Sequence, residues 1–155
     1  MLTEDFRLWF QDKNIYMQKI KVETIIKGDI EKVWKFWNEP EHITKWAFAS
    51  DDWECPYAEN DLKEGGRFLT RMSAKDGSSS FDFTGTYTKV VPFEKIEYIM
   101  DGADARAGVI TFEKVGEDAV KIIEEFDPEN ENPEEMQRTG WQAILANFQK
   151  HIEEN

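Results

Sequence analysis

Two histidines, one cysteine and a few acidic groupings are the residues here whose types could do chemistry. His42 and His151 have no second His or Cys at metal-ligand spacing, and a lone imidazole rarely makes a site. His42 is expected on the surface of a short helix. His151 falls in the last turn of the final helix, where a positive charge suits the helix C-terminus. Cys55 sits between Glu54 and Pro56 with no base nearby in sequence, so a quiet thiol is expected. There is no Gly-x-Ser-x-Gly elbow, Walker loop or dinucleotide fingerprint, and Gly65-Gly66 lacks the strand-to-helix setting of a phosphate loop. No metal and no cofactor are expected.

The acids offer more. Asp127 to Asn132 (DPENEN) lacks the turn glycine and the bidentate glutamate of a calcium loop, and reads as a solvated connection. Asp51-Asp52 and Glu124-Glu125 are the paired carboxylates. Glu124 shares strand parity with Val120, Ile122 and Phe126, so an inward face would carry its carboxyl into the interior with a raised pKa. A carboxylate at the sheet mouth, or one bonded to Arg67 or Arg71, is the plainer alternative. Those two arginines share one strand face opposite Phe68, Thr70 and Met72. With Phe68 inward they point outward to surface acids, in pairs worth less than about 1 kcal/mol each.

These groups must be positioned by a chain of 155 residues, one domain in length and long enough to bury a sizeable core. Phe 11, Trp 6 and Tyr 4 make much of that core, or of any cavity wall, aromatic. The formal charge of -13 disfavours nucleic acid and anionic membrane surfaces as partners. A single cysteine precludes an intrachain disulfide, no apolar run marks a membrane span, and the acidic start does not read as a signal peptide. A cytoplasmic protein is the expectation.

Residues 1–16 read as an N-terminal extension, with Leu2, Phe6, Trp9 and Phe10 at helical spacing, and 17–155 as the domain. Period-two alternation from Met17 to Lys27 predicts a strand closed by Gly28 and Asp29. Asp29 can cap a helix lined by Ile30, Val33, Trp34 and Trp37, which Pro40 halts before a second helix from about Glu41 to Trp46. Six strand-like runs follow: Trp53–Tyr57, Gly66–Ser73, Ser80–Val91, Glu94–Met100, Ala107–Lys114 and Ala119–Phe126. The turn-rich links between them make an antiparallel meander. Asn132 is then an N-cap with Pro133 in the first turn of a long helix. On it Trp141, Ile144, Leu145, Phe148 and Ile152 form one apolar face.

This order resembles the helix-grip fold of the START-like (SRPBCC) superfamily, an α+β fold in which a curved sheet wraps the C-terminal helix. Glu31-Lys32-Val33-Trp34, Pro40-Glu41-His42 leading to Trp46, Gly65-Gly66-Arg67-Phe68, Phe83-Thr84-Gly85-Thr86-Tyr87 and Gly140-Trp141 look like the family named for the activator of the heat-shock protein 90 ATPase. Many relatives have Ala-Pro where this chain has Gly28-Asp29. Many also follow the tryptophan at Trp46 with a second one, where this chain has Ala47 and then Phe48. An inward Ala47 would enlarge the cavity.

The expected function is non-catalytic binding of a small apolar or amphipathic ligand between sheet and final helix. Expected lining residues are Trp37, Trp46, Phe48, Phe68, Phe83, Tyr98, Phe112, Trp141, Leu145 and Phe148, joined by Glu124. Two alternatives stand beside it. A protein-interaction or cochaperone-like module, implied by the family's name, requires a protein partner and an exposed apolar patch above about 400 Å². A cyclase or hydrolase-like enzyme, known elsewhere in the superfamily, requires a titratable group inside the cavity. Gly140 is expected to let the helix approach the sheet closely, with Trp141 anchoring it.

Overall fold

The computed structural model describes residues 19–155. The helical spacing of Leu2, Phe6, Trp9 and Phe10, and the first residues of the opening strand, lie outside the described residues. Seven strands form one antiparallel sheet: β1 (Ile20–Lys27), β2 (Trp53–Asn60), β3 (Arg67–Ala74), β4 (Ser80–Val91), β5 (Lys95–Met100), β6 (Ala107–Lys114) and β7 (Ala119–Phe126). Their order is β1-β7-β6-β5-β4-β3-β2, so the strands before and after the first two helices are the two edges. Those helices, α1 (Ile30–Asn38) and α2 (Pro40–Trp46), carry the chain from one edge to the other. The long helix α3 (Glu134–Glu154) completes the helix-grip fold.

Local chemistry accounts for most boundaries. The Asp29 side chain accepts a hydrogen bond from the Lys32 amide and caps α1. Pro40 opens α2, where its missing N–H is not needed. Strand β2 runs three residues past the expected Tyr57 despite Pro56, because it is an edge strand and a register shift between Glu54 and Tyr57 absorbs the proline. The expected Asn132 cap is not formed. Asn132 and Glu131 give their amides to the Glu129 carboxylate, and Pro133 precedes α3 without a side-chain cap. Asp127 accepts from the Ala107 amide and from Lys19 at 2.9 Å each. The 127–132 connection is thus a folded-back, hydrogen-bonded turn and not merely a solvated linker.

Alternation puts Ile110 and Phe112 of β6, Val120, Ile122, Glu124 and Phe126 of β7, and Ile96, Tyr98 and Met100 of β5 on the inner face. Leu145 and Phe148 are 0% exposed, and Phe148 meets Trp37 and Trp46 edge-on, each at 4.9 Å between ring centres. Polar side chains complete the grip: Gln142 and Gln149 donate to the Glu23 and Ile25 carbonyls, and Thr24 donates to Gln149. Helix α3 therefore covers the outer edge of β1 and satisfies groups that would otherwise stay open. The core lies under the C-terminal half of α3, and its N-terminal half roofs something else.

Candidate functional site

Between the first three turns of α3 and the sheet lies a cavity of about 480 Å³. Its floor is the inner face of β3 to β7, with Phe68, Thr70 and Met72, then Phe83, Tyr98 and Met100, then Ile110 and Glu124. Trp37, Trp46, Ala47 and Phe48 close one end. Gly140, Trp141 and Ile144 form the roof, and Phe81 and Met136, the latter 60% exposed, stand at the mouth.

Eight of the residues expected to line a cavity border this one: Trp37, Trp46, Phe48, Phe68, Phe83, Tyr98, Glu124 and Trp141. Three do not, because they belong to the packed half of the molecule. Phe112 meets Trp34 and Trp37 edge-on, at 5.1 and 5.9 Å, while Leu145 and Phe148 sit on the sealed half of α3. Ala47 points inward and is buried, so its small side chain adds to the space. Sequence reasoning passed over Met100, Ile110 and Gly140. The first two share strand parity with Tyr98 and Phe112, a signal that was available, whereas a glycine has no side chain to signal with.

Glycines set where the rings go. Phe68 lies opposite Gly85 and Tyr98 opposite Gly108, and each ring lies over its glycine. A Cβ at Gly85 would meet the Phe68 ring at 2.6 Å, and one at Gly108 the Tyr98 ring at 2.3 Å. Each missing side chain is thus the space into which a ring folds flat, keeping the centre of the cavity open. Gly140 differs from expectation: a Cβ there meets nothing within 4 Å, so it marks empty space under the helix and not a close helix–strand approach. Trp141 stacks on Phe126 at 3.8 Å and meets Phe83 edge-on at 5.8 Å, anchoring the roof while bordering the cavity.

Few polar groups reach this space. Glu124 is 5% exposed, and burial alone pushes its carboxyl up to about 8. No donor or cation among the described residues pairs with it. The phenol of Tyr98 is raised by burial and then by the neighbouring Glu124. On the opposite wall the Tyr87 hydroxyl donates to Asn60, whose amide donates to the Asn38 carbonyl at 2.7 Å, and burial raises the Tyr87 phenol too. Arg106 borders the cavity with the Asp104 carboxylate 3.1 Å from its Nε, but off the N–H axis, so that buried Nε has no hydrogen-bond acceptor. Arg67 and Arg71 point away and pair with Asp101 and Asp82, each with a 2.8 Å contact, and Arg67 holds the Asp101 carboxyl down to about 2.

The family profile described as Activator of Hsp90 ATPase homolog 1-like protein matches residues 27–153. The chain belongs to this family. It is similar to the solved Chr148 of Cytophaga hutchinsonii, with 52% identity over 88% of this chain and 93% of that one, at a TM-score of 0.74. An AHSA1-like protein of Aeromonas hydrophila is 39% identical over 86% of this chain and 92% of that one, at a TM-score of 0.77. Protein CV1439 of Chromobacterium violaceum, at 24% identity, 88% and 97% coverage and a TM-score of 0.74, shares the fold. No protein of curated function matches.

Away from the cavity of this AHSA1-like domain, the fold joins the two histidines that sequence spacing holds apart. His42 Nδ1 and His151 Nε2 are 3.0 Å apart, the Phe36 ring stacks on His42 at 3.7 Å, and the Glu39 carboxylate lies 3.9 Å from His42 Nε2. His42 is therefore half-buried and partnered instead of standing free on the surface. Glu39, Glu41 and His42 offer ligand atoms within 4.8 Å of one another, a cluster at the first turn of α2. Burial first, then the His42 charge, holds His151 below its ordinary range. Cys55 is buried, donates to the Tyr57 carbonyl at 3.5 Å, and is raised by burial, which suits an unreactive thiol.

Proposed function

We propose that this protein binds a small apolar or amphipathic ligand, without transforming it, in the cavity between the sheet and the N-terminal half of α3. The observation that carries this reading is the division of α3: Leu145, Phe148 and Ile152 are sealed against the core, while Gly140, Trp141 and Ile144 roof about 480 Å³ of ring-lined space. That volume and its apolar walls with few polar groups are what a small-molecule site needs. Binding is favoured over catalysis because no Ser–His or Cys–His couple borders the cavity among the described residues, and Glu124 has no second acid or base bonded to it. Among the described residues no helix is long and apolar enough to cross a membrane, and a cytoplasmic location is part of the same proposal.

Native mass spectrometry of gently purified protein tests the reading. The expected spectrum shows a bound small molecule that disappears on mild activation, and Ala47→Trp, which fills the cavity end, is expected to purify without it. Wild-type protein that carries no adduct and takes up no apolar probe would sink the proposal.

A further inference from the structure

We infer that the cavity takes an apolar ligand bearing an amine, whose ammonium group pairs with Glu124 on the cavity floor. This inference rests on the ligand-binding reading above and adds the chemical class of the ligand. Buried carboxyls in folded proteins are normally hydrogen-bonded or paired, because an unpaired one loses its hydration for no return. Glu124 is 95% buried by its exposure of 5%, faces the cavity, and has neither kind of partner among the described residues. An ammonium supplies both at once: a charge and up to three N–H donors. The nearby Tyr98 phenol, lying over Gly108 and bordering the same space, can accept one of those donors. Phe68, Phe83 and Trp141 line the same cavity with rings, to whose faces a cation is attracted.

The other charges argue for the same sign. Arg106 is the one cationic side chain bordering the cavity among the described residues. Its buried Nε has no hydrogen-bond acceptor, but its charge lies beside Asp104 and in the field of Asp127 and Glu129. A carboxylate ligand therefore meets a guanidinium surrounded by acids, while an amine meets an acid with no counter-charge. The chain's charge of -13 draws cations toward the mouth. Proton balance gives the inference a signature. Burial keeps the empty site's carboxyl protonated up to about 8, so an ammonium binding below that pH releases the Glu124 proton to solvent.

Isothermal titration with 1-naphthylmethylamine, 1-naphthylmethanol and 1-naphthoate at pH 7 tests it. The amine is expected to bind at least about tenfold tighter than the alcohol, the difference a buried charge pair supplies. Its heat should also depend on the buffer's ionisation enthalpy, in the sense of proton release. Glu124→Gln is expected to bring amine affinity down to that of the alcohol and to abolish the proton release, and Gly140→Leu, which fills the space under the roof, to weaken all three. Amine and alcohol binding alike to wild type, or an amine preference that survives in Glu124→Gln, overturns the inference and leaves the cavity reading standing. Failure of all three compounds to bind wild type overturns the cavity reading and this inference with it.

Discussion

A glutamate without a partner is costly to bury, and Glu124 should show that cost as a pH dependence. With its carboxyl raised to about 8 in the fold, the unfolded chain loses this proton first as pH climbs through the ordinary carboxylate range. The fold is therefore penalised progressively up to pH 8 and by a constant amount above it. Glu124→Gln is expected to gain on the order of 2–4 kcal/mol over wild type at pH 8.5, with little difference near pH 4.5. Urea unfolding of both proteins at the two pH values checks this, and equal stability at pH 8.5 would mean that the carboxyl is hydrated. Trp141 presents a different balance. Its ring is stacked on Phe126 yet borders open space, so Trp141→Ala is expected to cost about 1–3 kcal/mol. That is less than the roughly 3–5 kcal/mol expected for Phe148→Ala in the sealed core. Equal losses would place Trp141 in the core and leave the cavity without its roof.

The elements carry their own tests. Helix α3 was legible as one amphipathic stripe from Trp141 to Ile152, and periodicity does show which side faces the sheet. It does not show that the sheet stays in contact along only half of that length. The stripe alone therefore groups Leu145 and Phe148 with the cavity residues, although Phe148 packs against Trp37 and Trp46 in the sealed half of the helix. Glu124 was legible from strand parity alone, because alternation decides which face of a strand a residue occupies. The meeting of His42 with His151 was not, since the two lie on elements joined only by the fold. That contact ties α2 to the last turn of α3, near Lys32 and Lys45 on the positive side and Glu39 and Glu154 on the negative. His151 is held below its ordinary range, so the unfolded chain takes up its proton first as pH falls through about 6.5, and stability is lost in that direction. His151→Gln, which keeps a hydrogen-bonding side chain, is expected to flatten the fall in melting temperature between pH 7 and pH 5. An unchanged slope would show that this imidazole does not drive it.

At the scale of the whole molecule, strand alternation and turn chemistry were enough to lay out the seven strands and three helices in order. The motifs around Trp34, Gly85 and Gly140 pointed to the family to which the chain belongs. Volume was harder to read, because an empty space has no residue of its own. Its traces are the small side chains at Ala47 and Gly140, and the glycines at 85 and 108 that let rings lie flat on the sheet. The central claim is that this space is a binding site, and a leucine at position 140 tests it most directly. The site is open to a side chain and replacing a helical glycine favours the helix by up to about 1 kcal/mol, so Gly140→Leu should fill the cavity without unfolding the protein. Titration of N-phenyl-1-naphthylamine fluorescence is expected to show one saturable site in wild type, and at least about tenfold weaker binding in Gly140→Leu at an equal or higher melting temperature. Equal binding by the two proteins, or no saturable binding by wild type, would contradict the account.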